Sequence, residues 1–500
     1  MAEQSSEGSR GLLSFAIRRV VHDVFLCATT YGVFAVFFLA LTQTFPEREA
    51  VPLLGAAALA VLVSGIAFLT RRLLADRLER VAGAVARVPT RTWLAVLVLA
   101  GVGLRVIWLA AFPPVQTSDP ASYFALARQL VEKGRYETAD SRAYWPPGLP
   151  FSLLPAMVLF QGAWFVPAVN NLVLFVFTIV ATYRLALEVA DERVARIAAA
   201  AMAVWPNLAF GVGMANKELL TLFTVTVVLV AYLRAVRATR PSTAAVIALV
   251  AGLVLGYTVL TQPSTLLFPA LFMVFEVARG GGLRPAAARL VLLCCGMIAV
   301  VSPWTVRNWV VLGAFIPVSV TGGVSLYMGN NDAATGGYVS SITEELAALD
   351  EVSANRVASE RARAWIVQHP RQFAFLALKK QILFLGDDSG GAYSTLRQGL
   401  KIEGPRYLAF KALSNAFWLV ILLGLTLSLW QRRSTSGSHD PRLLLLMLPF
   451  VYFLALHSVF ESGGRHHIAL SSSLAVLSSL FTVRSGVAEE RRVTGRLGAR

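Results

Sequence analysis

The sequence predicts an all-α polytopic membrane protein of about twelve transmembrane helices, with an amphipathic first outer loop and a small extracytoplasmic domain. Three observations lead there. Mean hydropathy is +0.63, and the 500 residues are 56% hydrophobic and 15% charged, too little charge to cover a soluble surface. Apolar runs of about 20 residues, the length that crosses a bilayer core, recur from end to end. Basic clusters recur on one side of those runs: Arg18 with Arg19, Arg71 with Arg72, Arg87 with Arg91, Arg193 with Arg196, Arg234 with Arg237 and Arg240, Arg279 with Arg284, Arg432 with Arg433, and Arg491 with Arg492. The positive-inside rule explains that asymmetry and most of the net charge of +16, from 45 Lys+Arg against 29 Asp+Glu. No basic patch is interleaved with aromatic residues, so no nucleic-acid partner is expected.

With the basic loops in the cytoplasm, spans are expected near 24–42, 51–70, 93–112, 163–183, 197–213, 218–233, 243–260, 264–278, 288–305, 408–430, 443–460 and 466–483. Both termini are then cytoplasmic. The N-terminal stretch is polar and shows no small-residue cleavage site before an apolar core, so no cleaved signal peptide is expected. The chain divides into a tail with two helices (1–92), a transmembrane module with the outer loop 113–150 (93–305), an extracytoplasmic domain (306–406), C-terminal helices (407–484) and a basic tail (485–500). The segment 145–160 is apolar but short and broken by prolines, and reads as interfacial or re-entrant. Cys27, Cys294 and Cys295 lie inside apolar runs without metal-ligand spacing and read as packing residues.

Four stretches carry groups suited to chemistry. In "SDPASYFALARQLVEKG", Asp119 and Pro120 form a helix start, with Asp at the N-cap and Pro at N1. Tyr123, Leu126, Ala127 and Leu130 fall on one face, which can rest on the membrane surface, and Gly134 ends the helix. On spacing alone Asp119 reads first as a helix cap, with a functional carboxylate as the alternative. Asn216, Lys217 and Glu218 stand at a mouth between two spans, where Glu218 is either a dipole-favoured helix start or a site acid. Arg307 follows an apolar span on the outer side, against the basic-inside pattern, as a phosphate ligand or an interfacial anchor. "HSVFESGGRHHIAL" gathers His457, Glu461, Arg465, His466 and His467 at another mouth; adjacent His residues do not share a helix face, so no zinc site is expected.

At these residues the chain resembles GT-C-type membrane glycosyltransferases, and more narrowly the bacterial family related to protein O-mannosyltransferases and to the lipid A aminoarabinose transferase. The resemblance covers about 95–485. It rests on the Asp119 helix start, "YWPPGLP" (144–150), "NKELLTLF" (216–223), "SPWTVRNWVVLGAFIPVSVTGGVSLYMGNNDAATGGY" (302–338), "HPRQFAFLALKKQ" (369–381) and "GGRHHIAL" (463–470). The sequence departs from the pattern at Gln262, where relatives often carry Arg. Trp145 stands where the aminoarabinose enzymes have Lys, and His466 where Tyr is common.

The resemblance implies a GT-C-like fold and a polyprenyl-phosphate-sugar donor used on the outer face of the plasma membrane. An acceptor hydroxyl of an envelope glycan, lipid or protein would attack C1 of the sugar with inversion. Asp119 matches the position of the catalytic base, and Glu218 that of a second acid. Arg307 and Arg465 would hold the donor phosphate, with Arg142 in place of the missing Lys. Tyr123, Tyr144, Pro147, Asn216, Lys217, Asn308, Tyr327 and Asn330 would line the substrate cavity. Neither a metal nor another cofactor is expected. A transporter or flippase of lipid-linked sugars is the main alternative and a structural assembly subunit a further one. Convergence of Asp119, Glu218, Arg307 and Arg465 separates the enzyme from both.

Overall fold

In the computed structural model, residues 2–44, 50–138, 141–433 and 440–482 are described. The expected basic tail, 485–500, lies outside them. Helices follow in the order α1 (Ala2–Thr44), α2 (Ala50–Ala86), α3 (Thr90–Ala111), α4 (Asp119–Lys133), α5 (Gly148–Leu159), α6 (Val166–Val189), α7 (Glu192–Val204), α8 (Pro206–Phe210), α9 (Glu218–Arg237), α10 (Pro241–Thr261), α11 (Phe268–Arg279), α12 (Leu283–Leu312), α13 (Gly322–Gly329), α14 (Ser340–Leu346), α15 (Glu351–Gln368), α16 (Pro370–Leu385), α17 (Gly390–Ala392), α18 (Gly404–Arg433), α19 (Pro441–Val459) and α20 (Ser471–Ser479). No strand occurs among the described residues.

Nine of these, α1, α2, α3, α6, α9, α10, α12, α18 and α19, are long and apolar enough to cross a membrane. The other three expected spans are not continuous helices. Residues 197–213 fall across α7 and α8, which part at Trp205, because Pro206 has no N–H for the preceding turn. Residues 264–278 open on a 3-10 turn at Pro263–Leu267, and 466–483 on another at Gly464–Leu470. The proline-rich segment 145–160 contains the 12-residue α5. Such a helix reaches about 18 Å, short of a bilayer core of about 30 Å.

Packing follows small residues. A Cβ at Gly252 would lie 2.2 Å from the Leu293 carbonyl oxygen, and one at Gly296 would lie 2.6 Å from that of Leu249, so α10 and α12 meet backbone to backbone. The helix α1 enters the core with Phe25 and Val33 fully buried, whereas α2 lies on the outside with most of its apolar residues, Leu54, Val61 and Leu69 among them, exposed. The break after α7 leaves carbonyls without helical partners. Arg105, 1% exposed on α3, donates from Nη1 to the Ala203 oxygen (2.9 Å) and packs on Phe175.

The bundle has two unlike ends. At one, acids and bases pair between helices, Glu188 with Arg234 and Arg237 and Glu276 with Arg289, and within them, Glu276 with Arg279 and Glu192 with Arg196. The other carries α4, α5, α13–α17 and the loops described next.

Candidate active site

The first outer segment is fixed by side chains that bond backbone. Gln116 donates from Nε2 to the Gly213 oxygen (2.8 Å), and the Ala215 N–H donates to its Oε1 (2.9 Å). Gly213 has no room for a side chain, since a Cβ would lie 2.7 Å from Pro114. Asn171 on α6 donates to the Val212 and Met214 oxygens (2.9 and 2.8 Å). The start of α4 and the start of α9 are thereby sewn together, which sets Asp119 beside Lys217 and Glu218.

The helix start differs by one residue from the expectation. Ser118, not Asp119, is the N-cap, and Asp119 is the first helical residue, with Pro120 next. The Ser118 backbone is left-handed at φ 54, which costs a non-glycine residue about 1–3 kcal/mol. Its carbonyl oxygen accepts from the Ala121 and Ser122 N–H groups, and its side chain makes no cap bond. The Asp119 carboxylate is thus not consumed by the helix. Tyr123, Leu126 and Ala127 are buried as the spacing predicts, but against α5 rather than on a lipid surface. Gly134 closes the helix at φ 63.

The third segment follows α19. The Glu461 N–H donates to the Ser325 oxygen (3.2 Å) and the Ser462 N–H to that of Gly336 (2.9 Å). Lys380, fully buried, donates to Asn330 Oδ1 (2.9 Å) and the Val459 oxygen (2.8 Å). Asn330 itself donates to the Val459 and Leu326 oxygens. This clamp presents Glu461 and Arg465 to the starts of α4 and α9.

There Arg465 Nη1 donates to Asp119 Oδ2 (3.0 Å) and Nη2 to Glu461 Oε1 (3.1 Å). The Arg465 and Asp119 side chains are 45% and 37% exposed, and Glu461 is 10% exposed. Desolvation works against the guanidinium charge, but Glu461, Asp119 and Glu218 outweigh it and hold the group protonated beyond the usual Arg range. Desolvation lowers the Lys217 ammonium, with Glu218 opposing and Arg465 reinforcing the shift. Tyr144 is pushed up to about 12 by burial and then by Asp119, Tyr338 and Glu461. Tyr123 is also raised well above its ordinary value, by burial first and Asp119 second. Both phenols therefore stay neutral beside the carboxylates. The His457 and His466 rings stack at 3.7 Å, His457 Nδ1 donates to the Glu461 carbonyl (2.8 Å), and His466 Nε2 faces Glu461 Oε1 at 3.8 Å.

Arg307 is elsewhere. Its guanidinium donates to the Arg142 oxygen (2.7 Å), the Tyr136 oxygen (2.8 Å) and Asn308 Oδ1 (3.1 Å), and lies 4.8 Å from the Trp304 ring centre. Trp304 Nε1 donates to the Val318 oxygen, and Asn308 to those of Ile316 and Val318. Glu351 accepts from Ser141 Oγ and from the Arg142 and Ala143 N–H groups. These residues strap the loop after α4 onto α12 and α15. The Arg142 side chain is exposed. Asn308 and Asn330 are fully buried, donate their amide N–H groups to backbone and accept from Arg307 and Lys380, Tyr327 packs with Val324 and Met328, and Pro147 is buried at the start of α5. Asn216 lies half-buried in the turn before α9.

Four segments distant in sequence thus bring together Asp119, Lys217, Glu218 and Arg465, with Tyr123 and Tyr144, and leave Arg307 outside. Glu461 belongs to the cluster, and its signal in the sequence is its place four residues before Arg465. Asp388 is a second polar centre the sequence reading passed over: fully buried, it accepts from Trp205 Nε1 (2.7 Å), Asn207 and His467.

Among solved structures, the oligosaccharyltransferase from Archaeoglobus fulgidus in the apo form aligns over 77% of this chain and 50% of its own, at 15% identity and a TM-score of 0.48. The archaeal oligosaccharyltransferase AglB from that organism, in complex with an inhibitory peptide and a dolichol-phosphate, aligns over 81% and 51%, at 16% identity and a TM-score of 0.49. ArnT from Cupriavidus metallidurans bound to undecaprenyl phosphate aligns over 79% and 78%, at 14% identity and a TM-score of 0.39. The chain spans about half the length of the archaeal structures. No family model and no curated protein matches the sequence.

Proposed function

We propose that the protein is a GT-C-type membrane glycosyltransferase. In this reading it moves a sugar from a polyprenyl-phosphate donor to an acceptor hydroxyl at the outer face of the plasma membrane, with inversion, both termini being cytoplasmic. The observation that carries the reading is the Asp119–Arg465 pair, a carboxylate and a guanidinium joined at 3.0 Å in a half-exposed cluster. In an inverting transfer the acceptor attacks C1 on the face opposite the leaving phosphate, so this resting pair has to part, the base to one side of the sugar and the cation to the phosphate on the other. The acceptor oxygen forms its bond to C1 as the C1–O bond to phosphate breaks. Its proton passes to Asp119 Oδ1, the oxygen that accepts no hydrogen bond, and the bonding pair leaves on the phosphate. Arg465, with Lys217 beside it, stabilises the charge that grows there. Glu218 adds a second carboxylate whose field favours the charged form of both cations, opposing the desolvation that lowers Lys217.

Two features support an enzyme over a transporter. The cluster sits at helix starts and in the segment after α19 rather than at mid-span, where coupling sites of transporters lie. Three of the four groups whose convergence marks an enzyme, Asp119, Glu218 and Arg465, face one another, Arg307 being the exception. The test is transfer by the purified full-length protein from a panel of polyprenyl-phosphate sugars, with the product identified. Transfer that collapses in Asp119→Asn is the expected result. No transfer from any such donor, with uptake of lipid-linked sugar into vesicles instead, would reverse the reading.

A further inference from the structure

Arg465 reaches two carboxylates of different kinds. Glu461 is nearly buried, and its backbone is tied to Ser325 while the next residue is tied to Gly336. Asp119 stands on the open side at the start of α4, behind a strained Ser118. Two of the five guanidinium N–H groups are taken, one by each acid. The other groups facing Arg465 are Lys217 and Glu218 at the start of α9, His457 from α19, His466 beside it in the chain, Tyr123 from α4 and Tyr144 from the loop before α5. Without substrate, the proposed base is thus already paired to the proposed phosphate ligand.

We infer that Arg465 is shared in turn: an incoming donor phosphate takes its Nη1 edge from Asp119, freeing that carboxylate as the base, while Glu461 is the positioning residue that keeps the guanidinium in place. This rests on the donor reading above. The exposed partner is the one displaced, because a buried carboxylate left without its cation is much the costlier loss. The exchange strengthens along the reaction. The phosphate gains negative charge as the C1–O bond breaks, and Asp119 loses its own on taking the acceptor proton. Arg465 therefore binds the transition state better than the ground state. Before the donor arrives, the base is masked and no water is activated.

The probe is a polyprenyl phosphate, the leaving group alone, titrated into the full-length protein in detergent. If Asp119 competes for Arg465, Asp119→Asn tightens binding by about three- to tenfold, since a half-exposed pair is worth up to about a factor of ten. Glu461→Gln weakens binding by about tenfold. Both effects vanish in an Arg465→Gln background, which a merely structural role of either acid would not produce. Asp119→Ser serves as a second variant should the first unfold. Unchanged or weaker binding in folded Asp119→Asn and Asp119→Ser, with sugar transfer by the wild type intact, overturns the sharing and leaves the donor reading standing. Failure of the wild type both to bind the phosphate and to transfer sugar removes both.

Discussion

Arg307 and Arg465 look alike in sequence, each a lone cation beyond an apolar run, and the fold uses them for opposite ends. Arg307 spends its guanidinium on the carbonyls of Tyr136 and Arg142 and on Asn308, and lies over Trp304. Arg465 spends two N–H groups on carboxylates, stays 45% exposed and keeps N–H groups to spare. The first geometry satisfies backbone that would otherwise be unpaired, so it holds a loop. The second holds charge at an open surface, so it can exchange partners. A cation's residue type does not distinguish these roles; the nature of its acceptors does.

The comparison is open to attack in order of expected effect. Asp119→Asn should lower transfer by about 10²–10⁴ and leave the unfolding midpoint nearly unchanged, as general-base loss at a half-exposed site requires. A variant that transfers at near wild-type rate would remove Asp119 from the chemistry. Arg465→Gln should lower donor kcat/KM by about a hundredfold, again in a stable protein. Arg307→Gln should do the reverse, reducing stability by about 1–3 kcal/mol through its orphaned carbonyls while the folded fraction transfers within about threefold of wild type. Equal losses of activity in both arginine variants, without a stability difference, would erase the contrast.

A smaller effect concerns the clamp behind Glu461. Burial pushes the Lys380 ammonium down to about 8. Between there and the ordinary lysine value, near 10.4, the unfolded chain binds a proton that the folded chain does not, so stability rises with pH across that window. The gain is up to about 3 kcal/mol. Unfolding midpoints at pH 8 and pH 10 should therefore rise in the wild type, and the rise should be missing in Lys380→Met. The smallest expected effect is at Arg142, whose side chain is exposed and whose bonds to Glu351 and Arg307 are made by its backbone: Arg142→Ala should change transfer by less than about twofold. A large rise in donor KM there would return Arg142 to phosphate binding.

Periodicity carried far along this chain. The face Tyr123, Leu126 and Ala127 and the stop at Gly134 were legible because helix spacing and glycine chemistry are local. The cap was displaced by one residue because Ser118 adopts a left-handed backbone that no residue-type preference for serine announces. Three expected spans were legible as apolar length but not as broken helices, since hydropathy does not register where the backbone turns at Trp205 or Pro263. The stretch around Trp304, Arg307 and Asn308 carried the most specific resemblance, yet its partners are carbonyls as far as 171 residues away.

Composition, apolar length and charge asymmetry by themselves determined an all-helical membrane chain and marked Asp119, Glu218 and Arg465 as groups facing one end of it. Those properties are sums over local segments and need no knowledge of contacts. The tertiary structure alone decided that Arg465 meets Asp119 and Glu461, that Arg307 straps a loop, and that Lys380 and Asp388 are buried. Hydrogen bonds and ion pairs act over about 3 Å, and which residues come within that distance is fixed only when the helices have packed.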